Sequence, residues 1–241
     1  MRFDIPREIV FPVDGVDVRL DPAPHPYESA HPQAIDRNWS VEKARNPALF
    51  DGTVVLLSDL SRSKNRLEGR CHAIRFATFM HWRANRADGE HVFAHAMLVC
   101  RDNALLAIRM GAHTVNAGRV YFAAGSFEPV DFVDGVADVD SNMVREVAEE
   151  TGLDISAARR GLRHHVFSSN GGTVIFRRFF IDEDADELAR RIRDFVDAET
   201  DPEIDGPVII RHAADLPDGL MPHMPPLIDW HFSTTARDPA G

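Results

Sequence analysis

Cysteine, long apolar runs and positive charge are what this 241-residue chain has little of. Its two cysteines, Cys71 and Cys100, stand in no metal-ligand spacing. They read as packed or idle thiols of a reducing compartment, with pairing between them left open. No stretch approaches the roughly 20 apolar residues that span a bilayer. The opening Met1-Arg2-Phe3-Asp4 carries no signal-peptide core, so a cytoplasmic protein is expected. Lys and Arg number 27 against 38 Asp and Glu, a formal net charge of −11. That argues against a general nucleic-acid surface, which needs a basic footprint. Small phosphorylated substrates remain open where a metal neutralises the local field.

What is present is ordinary globular material, 44% hydrophobic and 27% charged, enough to bury a substantial core in one domain with an extension. Residues 8–20 read as a hairpin turning at Val13-Asp14-Gly15. The proline-rich stretch 21–33 should be extended loop, with His25 and His31 as solvated loop residues. A short helix is expected over Ala34–Ala44. Strands are expected over Thr53–Leu57 and Cys71–Phe79, with Ser61–Arg66 as a basic loop between them. Further strands are expected over Val92–Cys100, Ala104–Arg109 and Val120–Ala123. A hairpin should turn at Asn170-Gly171-Gly172, and a helix should cover 184–199. Val208–Ile210 reads as a strand, Leu220–Phe232 as a final helix, and 233–241 should fray.

One segment stands apart. In Arg145-Glu146-Val147-Ala148-Glu149-Glu150-Thr151-Gly152-Leu153, helical spacing puts Glu146, Glu149 and Glu150 on one face, with Val144, Val147 and Ala148 opposite. Asp138, Asp140 and Ser141 are N-cap candidates and Gly152 is a natural stop. Like charges at i,i+4 repel. A divalent cation with a taste for carboxylate oxygen, Mg²⁺ or Mn²⁺, would relieve that repulsion. A solvated acidic face is the bland alternative.

The same nine residues match the second half of the Nudix box at all seven of its specified positions, so the chain resembles the Nudix hydrolases. The first half departs: Ala137 stands where the box has Glu and Asp131 where it has Gly. The nearest match to the family's glycine turn is Gly125-Ser126-Phe127-Glu128-Pro129, which implies a six-residue insertion before the helix. The resemblance covers roughly residues 53–212. A weaker likeness links Asn46-Pro47-Ala48-Leu49-Phe50-Asp51-Gly52 to the UDP-sugar-cleaving branch.

The resemblance implies an α/β/α sandwich with a mixed sheet over 51–232, preceded by a β-containing extension (1–50). It implies Mg²⁺-dependent (or Mn²⁺-dependent) cleavage of the pyrophosphate in a nucleoside diphosphate linked to a small moiety, an NDP-sugar such as UDP-glucose being one case. Glu146, Glu149 and Glu150 would hold the metal with a backbone carbonyl near Ala124 or Gly125, and Glu146 or Glu149 would act as base. Arg145 either touches phosphate or ion-pairs with a box glutamate, and the second reading is expected. Glu128 is a substitute for the missing box Glu, in competition with Asp131, Asp134 and Asp138. A carboxylate from Asp182–Glu187 often completes such sites, and helix capping explains that cluster equally. Phe79, Trp82, Phe93, Tyr121 and Phe127 are candidates for stacking on a base. Arg75, Arg83, Arg86 and Arg109 are candidates for phosphate contact, against core and surface roles. The implied partner is a small phosphorylated substrate, with no nucleic-acid polymer and no membrane; a homodimer is among the assemblies open to it. The competing reading is a non-hydrolytic nucleotide- or NDP-sugar-binding module. A Nudix-fold isomerase finds little support in two cysteines without neighbouring histidines at metal spacing.

Overall fold

The computed structural model describes residues 3–86 and 89–235. In chain order the elements begin with β1 (Phe3–Asp4), β2 (Val10–Val13), β3 (Gly15–Asp21), α1 (Pro26–Ala30) and α2 (Pro32–Arg45). Next come β4 (Thr53–Ser63), β5 (Arg66–Arg75), α3 (Phe76–Asn85), β6 (Val92–Val99), β7 (Leu105–Met110) and β8 (Val120–Tyr121). They continue with β9 (Phe132–Val133), β10 (Val136–Ala137), α4 (Val139–Thr151), β11 (Arg159–Arg160) and β12 (His164–Ser169). The last are β13 (Gly172–Phe180), α5 (Ala185–Ala198), β14 (Ile204–Ile210) and α6 (Met224–Thr235). The fold is mixed α/β, with its strands shared between two sheets.

The chain forms two compact units. The first is built from the segment ending at Pro6, Val13–Phe93 and Ser126–Val139; the second from Arg7–Pro12, Ala94–Gly125 and the chain from Asp140 onward. The boundary expected near residue 50 therefore falls inside the first unit.

The first unit carries a six-stranded sheet in the order β1-β4-β5-β3-β10-β9. It is mixed: β3 runs parallel to β5 and β4 antiparallel to β5. The basic loop expected at Ser61–Arg66 is a tight reversal, since β4 and β5 pair as far as Ser63↔Arg66 and Lys64 takes a positive φ of 56°. Tyr27, Val54, Leu56, Ile74, Phe79 and Trp82 form an apolar cluster here. His25 is not a solvated loop residue but is fully buried. Its Nδ1 accepts the Tyr27 N–H at 3.0 Å, which leaves Nε2 to donate to the Leu57 carbonyl at 3.3 Å. The proline-rich loop that holds it contains α1, which sequence reading missed because Pro26 is tolerated in a first helical turn.

Three further expectations are corrected. The strand expected to run through Phe79 stops at Arg75, and α3 begins at Phe76. Asp51 accepts the Ala77 N–H at 2.8 Å and Gly52 the Phe76 N–H at 2.8 Å. A remote loop therefore satisfies the open helix start. The hairpin expected over 8–20 does not form, because β2 lies in one sheet and β3 in the other. Neither Asp14 nor Gly15 takes the positive φ that a two-residue hairpin turn demands. In the tail, residues 233–235 are still helical, and 236–241 lie outside the described residues.

The second unit carries the sheet β14-β7-β6-β13-β12-β2, with β8 on β7 and β11 on β13. Helix α5 buries Leu188, Ala189, Ile192 and Val196 and packs on β14 and β7. Helix α6 sets Trp230 against His165 and Phe176.

Candidate active site

Helix α4 is where the sequence placed the chemistry, and its buried face differs from the expected one. Met143 and Val147 are fully buried as a core stripe requires, but Ala148 is exposed. The adjacent stripe is also buried: Asn142 at 0%, Glu146 at 9% and Glu150 at 4% exposure. Glu149 points outward with its side chain 56% exposed. The three carboxylates thus divide into two buried and one solvated. Gly152 ends the helix at φ +68°, and a Cβ there would strike the Phe195 ring of α5, so two constraints converge on glycine.

Each acid has defined partners. The Ala124 N–H donates to Glu150 Oε2 at 2.9 Å. Gly125 lies so close to Glu146 that a Cβ would overlap its carboxylate and force that side chain to move. Arg145 spans the other two, with Nη2 2.6 Å from Glu146 Oε1 and Nη1 2.8 Å from Glu149 Oε2. The expectation was one glutamate partner; the guanidinium engages two. Asn142 Nδ2 reaches Glu146 Oε1 at 3.5 Å.

Burial, then the charges of Glu146 and Glu203, push the Glu150 carboxyl well above the ordinary range, with the Ala124 N–H acting against them. Glu203, just before β14, is a site neighbour that sequence reading missed. Partial desolvation and the charge of Glu149 raise its own carboxyl. No motif marks Glu203: the pairing of β14 with β7 brings it in, and its backbone carbonyl accepts the Gly111 N–H at 2.9 Å. Tyr121 completes the group. Burial and then the Glu150 charge raise its hydroxyl pKa, while Asn116 Nδ2 donates to its oxygen at 3.3 Å.

A histidine pair braces the turn that faces α4. His95 on β6 lies 2.8 Å from the Phe122 carbonyl through Nδ1 and 3.0 Å from His223 Nε2 through Nε2. A carbonyl only accepts, so Nδ1 holds the proton and Nε2 accepts from His223. Burial and then the His223 charge hold His95 well below its ordinary pKa.

The other candidates have structural occupations. Phe79, Trp82, Tyr121 and Phe127 are buried, and Phe93 is half-buried. Arg75 pairs with Asp36 and Asp51, and Arg86 lies over the Trp82 ring. Arg109 donates to the Gly118 and Asp218 carbonyls. Asp184 and Glu187 cap α5 and pair with Arg101. In the first unit Glu128 is exposed at the start of a 3₁₀ turn, Pro129–Asp131, and its N–H donates to the buried Asp131 carboxylate at 2.8 Å. Asp134 and Gly135, at φ 50° and 76°, form the two-residue turn between β9 and β10.

Among the described residues no three His, Cys, Asp or Glu side chains already stand as a set of metal ligands. The donor chemistry nevertheless suits a hard cation. Glu146 and Glu150 are buried oxygen donors, burial and then the Glu146 charge raise the Glu150 pKa, and Arg145 is the counter-charge at Glu146. No helix among the described residues is long and apolar enough to cross a membrane.

No protein-family model matches the chain, and no curated protein matches it. Solved structures do. A MutT protein from Methanosarcina mazei Go1 is 16% identical, with 63% of this chain and 96% of that one covered at a TM-score of 0.40. DR0079 from Deinococcus radiodurans is 12% identical over 75% and 99%, at 0.47. A MutT NUDIX hydrolase from Burkholderia pseudomallei is 18% identical over 59% and 95%, at 0.35. At such scores the likeness decides nothing about chemistry.

Proposed function

We propose that the protein is a Mg²⁺-dependent pyrophosphohydrolase of the Nudix type acting on a nucleoside diphosphate linked to a small moiety, with NDP-sugars such as UDP-glucose as the first class to test. The observation that carries this reading is the buried Glu146–Glu150 pair beneath Gly125. Two ionised carboxylates held out of water side by side repel each other, and a cation sharing their oxygens relieves this, as a proton on Glu150 does in its absence. The sugar preference is supported by the Asn46–Gly52 likeness alone.

The metal would be held by Glu146, Glu149 and Glu150 with a carbonyl of the Ala124–Gly125 turn. When bound it would neutralise pyrophosphate oxygens and acidify a coordinated water. Glu150 is fixed by the Ala124 N–H, so its oxygen is placed before substrate arrives. Glu149, the exposed one of the three, is held by Arg145 and would accept the proton of an attacking water. Arg145 holds Glu146 and Glu149 apart from each other's charge and keeps their rotamers in place. A net charge of −11 favours small substrates over nucleic-acid polymers. We read the β9–β10 hairpin, the six residues from Phe132 to Ala137, as the insertion in the box.

A second reading, a nucleotide-binding module without turnover, is favoured by Ala137, which is buried in β10 where the box calls for glutamate. Phosphate release from a panel of NDP-sugars, dinucleotides and NTPs, with and without Mg²⁺, separates the two. Turnover that needs Mg²⁺ and disappears in Glu150→Gln supports hydrolysis. Calorimetric binding without turnover supports the module.

A further inference from the structure

We infer that Asp140 is the positioning residue that sets the rotation and height of α4, and so aims Glu146 and Glu150 at the Gly125 turn; this deepens the hydrolase reading and rests on it. Asp140 lies in the first turn of the helix, and the proposed chemistry gives it no task. Its carboxylate is largely shielded, with the side chain 20% exposed. Arg177 Nη1 meets Oδ2 at 2.5 Å, Arg160 Nη1 meets Oδ2 at 3.0 Å and His164 Nε2 meets Oδ1 at 2.9 Å. These three donors come from three strands: β11, β12 and β13.

The donors are themselves fixed. Arg177 Nε donates to the Gly161 carbonyl at 2.7 Å, and Arg160 Nη2 donates to the Ser156 carbonyl at 3.1 Å. Two anchored guanidiniums and an imidazole converging on one carboxylate leave it little freedom. Burial alone would raise the Asp140 carboxyl. The hydrogen bond and charge of His164, then Arg177 and Arg160, outweigh it and hold the group below its ordinary range. The contact is therefore an ionised one, made at the end of the helix whose dipole favours an anion.

Geometry turns this into an effect on the site. Asp140 and Val147 are seven residues apart and share a helix face, so the carboxylate grips the same side that Val147 buries. Glu150 stands ten residues on from Asp140, about 15 Å along the axis. With its carboxyl about 6 Å from that axis, a helix rotation of about 10° would carry it about 1 Å, a displacement of the size that costs about 10²-fold in rate. Apolar packing by Met143 and Val147 tolerates such a slip, because apolar contact is not directional. A three-donor ion cluster does not.

The experiment compares the parent with Asp140→Asn, Asp140→Glu and the milder Arg160→Gln. Mg²⁺-dependent turnover and amide hydrogen exchange along α4 are both measured, with α5 as the internal reference. Asp140→Asn should keep a cooperative melt and lose about 10²-fold in kcat with KM within about threefold. Its α4 amides should exchange at least tenfold faster while α5 is unchanged. Asp140→Glu should restore part of both, and Arg160→Gln should show a smaller loss in the same direction. Unchanged α4 exchange in Asp140→Asn overturns the inference, as does a kcat within twofold of the parent. The exchange arm reads the positioning role even if no substrate in the panel turns over, so its outcome is separate from the failure of the hydrolase reading.

Discussion

Helices α4 and α5 are nearly equal in length, both belong to the second unit, and both carry several acids, yet they treat those acids in opposite ways. In α5 the acids of the first turn, Asp186 and Glu187, are exposed, and the apolar stripe Leu188, Ala189, Ile192 and Val196 takes the buried face. Asp184 and Glu187 close a capping box, and nothing in the helix conflicts with its fold. In α4 the buried face holds Asn142, Glu146 and Glu150 beside Met143 and Val147. A helix serving only the core would follow α5. The local conflict in α4 is what marks it as the candidate site.

The largest expected break of this contrast is Glu150→Gln, which removes a buried charge and keeps its shape. Turnover should fall by about 10³-fold, or about 4 kcal/mol of barrier, measured by phosphate release. The same substitution should stabilise the metal-free protein at neutral pH. A carboxyl raised above 4.5 binds its proton more tightly when folded, so its contribution is complete below pH 4.5 and is lost as pH rises through the raised value. A melting temperature for metal-free Glu150→Gln below that of the parent at pH 8 would contradict this account.

In α5 the effects should reverse. Leu188, 1% exposed, should cost about 2–5 kcal/mol of stability as Leu188→Ala while kcat stays within twofold. Denaturant titration and turnover on one preparation test both halves.

Acid should weaken the unit from another direction. Burial pushes His231 down to about 4 from 6.5, and it is fully buried. It therefore contributes stability above pH 6.5 that is lost as pH falls towards 4, about 3 kcal/mol in all. Melting curves from pH 7 to 4 should show the loss, and His231→Gln should remove its share of it, while His95, His165 and His223, also depressed by burial, keep the rest. The smallest effect expected is Glu187→Gln in α5, which touches an exposed pair 3.6 Å from Arg101. It should shift stability by at most about 0.5 kcal/mol and leave turnover alone. A tenfold loss of activity there would erase the distinction between the helices.

Two Asp-Gly pairs show why some of the fold was legible in the chain and some was not. Asp134-Gly135 takes the positive φ angles of a tight turn and joins β9 to β10. Asp14-Gly15 is the same dipeptide, yet the strands on either side enter different sheets. The turn signal describes what a pair tolerates, whereas partners elsewhere decide what it does. The same holds for α3, whose start is satisfied by Asp51 and Gly52. Of the site, Glu146, Glu149 and Glu150 could be read from helical spacing, and Arg145 only from the resemblance of its motif. Glu203 and the Asp140 cluster could not, because distant strands bring them in.

By itself the sequence determined that 145–153 would be a helix studded with acids and stopped by Gly152, since helical period and glycine's access to positive φ are properties of neighbouring residues. Only the tertiary structure decided which of those acids leave water. Burial depends on what the rest of the chain packs over a given face, and that turns a stripe of like charges into two buried carboxylates and one solvated one.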